Sequence, residues 1–124
     1  MNCTSVYQSA LTLIGEQAHV PALDDYQKRA PSLLGVVHHR FVRISEALTG
    51  TKISRSSLHI ASLEDEFPLN ESLFYAASLA LASLLILDEQ PVLAAILDER
   101  AEASASAAAK DAVTVTPTKE VYPG

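Results

Sequence analysis

The sequence predicts an all-α fold, a four-helix bundle with an extended middle arm and an extended C-terminal tail. Apolar residues recur at helical spacing in four separate segments. Capping or helix-starting residues stand at the head of each: Ser5, Asp24-Asp25, Asn70 and Pro91. Only Leu58-His59-Ile60 shows the alternation of a strand, and it is short. The bundle domain is placed at 1–112, with the arm at about 50–69, and the tail at 113–124.

The chain has 124 residues, of which 48% are hydrophobic and 19% charged. That is one domain with enough apolar surface for a single core. Its one cysteine, Cys3, excludes an internal disulfide framework and a multi-cysteine zinc site, and reads as a reduced thiol. The start, Met1-Asn2-Cys3-Thr4-Ser5, lacks the basic residues and apolar run of a signal peptide. The longest apolar stretch, fifteen residues from Leu73 to Leu87, is shorter than the roughly 20 needed to span a bilayer. A soluble, cytoplasmic protein is expected.

The first helix is placed from about Ser5 to Ala18, with Ser5 and Gln8 at capping-box spacing. Val6, Ala10, Leu13 and Ile14 form its apolar stripe, and Gly15 weakens its end. His19 to Leu23 read as a turn. Asp24 and Asp25 cap a second helix to about Leu48, striped by Tyr26, Ala30, Leu33, Leu34, Val37, Phe41, Ile44 and Leu48. Pro31 predicts a kink or a fresh start within it. Residues 51–70 read as an arm or small hairpin, because Ile53, Leu58 and Ile60 are embedded in Ser, Thr, Lys and Arg.

Asn70 caps the third helix, Glu71 favours its positive end, and Leu69 with Phe74 has the spacing of a hydrophobic staple. From Leu73 to Leu87 it is apolar nearly all round, the pattern of a helix enclosed by neighbours. Asp88-Glu89-Gln90 ends it. Pro91 opens a fourth helix, where its missing N–H costs nothing, and Val92, Leu93, Ile96 and Leu97 supply the stripe. Ala101 to Ala112 have strong helix propensity and little to bury. Beyond Val113 no helical signal remains.

Net charge is −6, from 15 acids and 9 bases, and it is unevenly laid out. Lys28, Arg29, Arg40, Arg43, Lys52 and Arg55 accompany a single acid, Glu46, between Lys28 and Ile60. From Ala61 to Glu102 there are nine acids and one base, Arg100. Three readings follow. The charges are solvated faces and intramolecular pairs, or a basic face meets the acidic face of the next copy, or the basic block touches DNA phosphates.

Chemistry is sparse. Adjacent rings such as His38-His39 diverge by about 100° on a helix and do not share a metal, so they read as solvent or interface residues. Glu64-Asp65-Glu66 lacks the alternating oxygen ligands and glycine of a calcium loop, and reads as a solvated acidic turn or a docking strip. Neither a nucleophile motif nor a glycine-rich phosphate loop is present. The expectation is a protein without enzymatic activity, cofactor or metal.

Three stretches carry a family resemblance. Tyr26-Gln27-Lys28-Arg29-Ala30-Pro31-Ser32-Leu33-Leu34 resembles the Tyr-x-x-Arg-Ala-Pro-x-Leu-Leu/Ile opening of the second helix in small prophage neck proteins. Ser62-Leu63-Glu64-Asp65-Glu66-Phe67-Pro68-Leu69 is similar to their linker before the third helix. Ala76 to Ala94, with Leu79-Ala80, Leu84-Leu85 and Asp88-Glu89-Gln90-Pro91, resembles their core helix and turn. The resemblance covers about residues 5 to 102. It departs at Leu97-Asp98-Glu99-Arg100, where the family often has Tyr or Asn, and beyond Ala103.

The resemblance implies a head–tail adaptor, or connector, of tailed bacteriophages. Such proteins assemble as a ring, commonly a dodecamer, beneath the portal and extend the DNA channel. The implied partners are further copies of the chain, the portal protein, the next neck or tail-completion protein, and DNA passing without sequence-specific binding. No membrane is involved. The implied location is the virion neck, with host cytoplasm during assembly. For the interface, the charge layout singles out Arg40, Arg43 and Arg55 against Glu64, Asp65, Glu66 and Asp98. The arm and the tail are expected to be loose in the monomer and to order on assembly. The alternative is a small cytoplasmic regulatory protein, or a DNA-binding one using Lys28, Arg29, Arg40 and Arg43.

Overall fold

A computed structural model describes residues 1–17, 23–50 and 60–121, with side chains except at 16–17 and beyond Asp111. Within them the chain is all-α. Helix α1 spans Cys3–Gln17, α2 Leu23–Thr49, α3 Phe74–Ile86 and α4 Pro91–Val121, with a 3-10 turn at Glu71–Leu73 before α3. Among the described residues there is no strand, only an isolated bridge between Asn2 and Glu66.

Helix α3 is the centre. Ten of its 13 residues are buried, Ala76 to Ser83 with Leu85 and Ile86, because α1, α2 and α4 all lie against it. The Asn70 side chain caps the preceding turn, its oxygen accepting from Ser72 N–H at 2.9 Å. Two bonds into the Ile86 carbonyl, from Glu89 N–H and Gln90 N–H, close the other end. Pro91 then occupies the first position of α4 as its geometry favours. Ser83 ties the pair together, its buried hydroxyl donating to the Ala94 carbonyl at 2.7 Å.

The directions of the helices follow from contacts at their ends. Tyr26, early in α2, reaches Glu89 after α3, while Ser45, late in α2, accepts from Asn70 N–H before it. Helices α2 and α3 therefore run oppositely, and α2 and α4 run in the same sense.

Several expectations are corrected. Helix α1 starts at Cys3, not Ser5, because Asn2 is its cap: the Asn2 Oδ1 accepts from Ser5 N–H at 2.8 Å. Its buried stripe is Cys3, Val6, Tyr7, Ala10 and Ile14. Helix α2 continues through Pro31 without a fresh start. The carbonyl that Pro31 cannot serve belongs to Gln27, an exposed residue where water can take the bond. On α4 the inward stripe is Ala94, Leu97, Ala101 and Ala105, and Val92 and Ile96 face outward. Ala101 and Ala105 are fully buried, their small size admitting the neighbouring elements closely.

The C-terminal segment also differs. The backbone is helical to Val121 where an extended tail was expected from 113. Each added helical residue adds one hydrogen bond, so an alanine-rich tract propagates the helix into residues of low propensity.

The second half of the arm is firmly seated. Cys3 N–H donates to the Asp65 carbonyl at 3.2 Å, Phe67 N–H to the Met1 carbonyl at 2.9 Å, and the Thr4 hydroxyl to the Leu63 carbonyl at 2.7 Å. Ile60, Phe67 and Leu69 are buried in the core. The expectation of a loose arm therefore fails for residues 60–69, whose apolar side chains are stable only inside. The strand-like Leu58-His59 and the rest of 51–59 lie outside the described residues.

Candidate functional site

The charged side chains divide into those occupied within the chain and those open on its surface. Arg40 is occupied. From α2 its Nη1 donates to Asp98 at 2.6 Å and its Nη2 to Glu102 at 2.9 Å, both on α4. Its guanidinium lies over the Phe41 ring, the central carbon 5.0 Å from the centroid. Burial opposes the charge, but the bonds to Glu102 and Asp98 outweigh it and raise the Arg40 pKa. Arg40 and Asp98, expected on opposite sides of a contact between copies, thus form one bridge inside a single chain.

The acidic turn is likewise built into the fold. Asp65 is half-buried, and its Oδ2 accepts from Ala61 N–H at 2.9 Å and Ser62 N–H at 3.1 Å. Glu66 accepts from the Met1 amine at 3.0 Å. Of the three, only Glu64 is exposed without an ion pair among the described residues, its N–H bound by the Ser62 hydroxyl. Glu64 and Glu66 are exposed, as expected of a solvated acidic turn, while Asp65 is turned in to hold two backbone N–H groups.

Arg43 is exposed on α2, one turn beyond Arg40. Arg55 lies outside the described residues. His38 is buried, 6.0 Å and edge-on from the Phe67 ring, which corrects its reading as a solvent or interface residue. His39 is exposed.

Residues of the first and third resemblance stretches meet. The Tyr26 hydroxyl donates to Glu89 at 3.0 Å. Arg29 donates through Nη2 to the Leu85 carbonyl and through Nε to Asp25, both at 2.9 Å, and lies over the Tyr26 ring. The opening of α2 is thereby bolted to the end of α3.

Sequence reasoning missed the exposed apolar residues. Val36 on α2 is 54% exposed, and Val92 and Ile96 on α4 are 75% and 41% exposed. The available signal was the 94, 97, 101, 105 spacing on α4, which leaves 92 and 96 on the opposite face. Among the described residues, no group of three or more His, Cys, Asp and Glu side chains could hold a metal. Nor is any described helix long and apolar enough to cross a membrane. Comparison with family models, with curated proteins and with solved structures gives no match for this chain.

Proposed function

We propose that this chain is a structural protein of tailed bacteriophages, a head–tail adaptor. It forms a ring under the portal, extends the DNA channel and joins capsid to tail, as a four-helix bundle carrying a middle arm. The observation that carries the reading is the meeting of the motif residues. Tyr26 and Arg29 come from the first resemblance stretch, and their partners Leu85 and Glu89 come from the third. These contacts hold the two stretches together in the fold, which supports reading them as one pattern.

The DNA-binding alternative loses support at two of its four cations. Arg29 and Arg40 are engaged with carboxylates of the same chain, and phosphate binding would have to displace those partners.

The test is negative-stain microscopy of the protein mixed with the portal protein of the same genome. A new layer of density under the portal ring is the expected result. Bare portals at high protein excess overturn the adaptor reading and bring the regulatory alternative forward.

A further inference from the structure

Two outward helix faces correspond in height and carry charges of opposite sign. On α2 the face opposite the buried stripe carries Lys28, Val36, His39 and Arg43, all exposed. On α4 the face opposite Ala94, Leu97, Ala101 and Ala105 carries Val92, Ile96 and Glu99, with Asp88 in the turn just before it. The α2 face has one exposed β-branched side chain, Val36, and the α4 face has two, Val92 and Ile96, in its first two turns. The α2 face carries the bases Lys28, His39 and Arg43, with Asp25 held by Arg29, and the α4 side carries the acids Asp88 and Glu99, with Arg100 and Lys110 further along. Among the described residues, Lys28, Arg43, Asp88 and Glu99 have no ion pair within the chain.

The heights follow from bonds inside the chain. Arg40 bridges to Asp98 and Glu102, so it is level with the α4 turn between them. One turn earlier on each helix stand Val36 and Ile96. His39 precedes Arg40 as Glu99 follows Asp98, and Arg43 lies one turn further along α2. At the other end Tyr26 reaches Glu89, which sets Lys28 near the level of Asp88. Copies arranged about an axis along the helices stand at a common height. A neighbour's α4 laid against this α2 in that arrangement puts Ile96 on Val36, Glu99 within reach of His39 and Arg43, and Asp88 near Lys28.

We infer that the outward face of α2 is the docking surface for the outward face of α4 of a second copy. The contact is heterologous, since the two faces are different surfaces, and it repeats from copy to copy into a ring or a filament. Burial of Val36, Val92 and Ile96 supplies the attraction, and the basic and acidic rims set the register. This deepens the adaptor reading and rests on it for its ring, while replacing Arg40 and Asp98, which are bound to each other, as the interface charges.

The experiment is disulfide trapping with Val36→Cys and Ile96→Cys in one chain. Both positions are exposed, so the helical circular dichroism should be unchanged, and the native Cys3 is buried. Mild oxidation of the protein, alone at high concentration and after addition to the portal, should give a ladder of linked dimers, trimers and higher species. Neither single variant should give species beyond the dimer. Lys28→Glu should lower the yield of the ladder about fivefold, and adding Asp88→Lys should restore it.

A dimer formed as readily by Ile96→Cys alone would mean that α4 pairs with itself and would overturn the inference. Monomer only, under both conditions, would also overturn it. The two readings fail separately. Portal layers without cross-linking leave the adaptor and remove this interface, whereas a ladder without portal layers keeps the interface and removes the adaptor.

Discussion

The Tyr26 hydroxyl donates to the Glu89 carboxylate at 3.0 Å, joining the first turn of α2 to the connection between α3 and α4. The tyrosine is fully buried although its hydroxyl reaches an exposed acid. Burial, then the bond to Glu89, pushes its pKa up to about 12 from 10.0. The neutral phenol is thus favoured in the fold. Its contribution to stability is intact below pH 10.0 and is lost as pH rises towards 12. Tyr26→Phe should cost about 1 kcal/mol at neutral pH and make the loss of stability between pH 10 and 12 shallower. Urea melts across that range check both.

Cys3 should react slowly in the native protein. Its thiol is buried, and burial, followed by the charges of Asp65 and Glu66, raises its pKa to about 11 from 9.0. That rise alone lowers the thiolate fraction roughly a hundredfold at pH 8. Labelling by a thiol reagent should therefore be at least about a hundredfold slower than in urea-unfolded protein. Equal rates in the two states would show that α1 opens readily.

Phe67→Ala should release the seated half of the arm. The ring is fully buried beside His38, and its removal should cost about 3–5 kcal/mol. Hydrogen exchange should show loss of protection at the amides of Cys3 and Phe67 before the rest of the chain. Uniform loss across all helices would mean that the segment has no independence from the core.

Ala105→Leu should destabilise by about 1–3 kcal/mol, because the position is fully buried on α4 and added methylenes in a packed core force neighbours to shift. The same change at Ala103, an exposed position, should be nearly neutral. Thermal melts of the two variants make the comparison, and equal effects would place the inward face of α4 elsewhere.

Arg40→Ala removes both bridges to α4. Because Asp98 and Glu102 are more than half exposed, the loss should be about 1 kcal/mol and should shrink at high salt. Denaturant melts at low and high salt would show it. A salt-independent loss would assign the effect to packing of the Arg40 side chain, whose guanidinium lies over Phe41.

The sequence by itself determined the number and type of the helices, since period and caps are local properties. Asn70, Pro91 and the apolar run of α3 mark their elements without help from the rest of the chain. The inward stripe of α2 was also legible, Tyr26, Ala30, Leu34, Val37 and Phe41 being buried as expected, whereas only the tertiary structure decided which face of α4 turns inward. On α4 the sequence favours Val92 and Ile96 as core, being larger and more apolar than alanine. The fold instead buries Ala94, Ala101 and Ala105, because close approach to α3 and the turn before it needs small side chains. The charge layout was legible as a segregation of bases from acids, but not as pairs. Arg40 and Asp98 are far apart in sequence and meet because α2 and α4 lie side by side in the same sense. The seating of residues 60–69 on the start of α1 was equally hidden, because backbone N–H and carbonyl groups carry it and every residue but proline offers both.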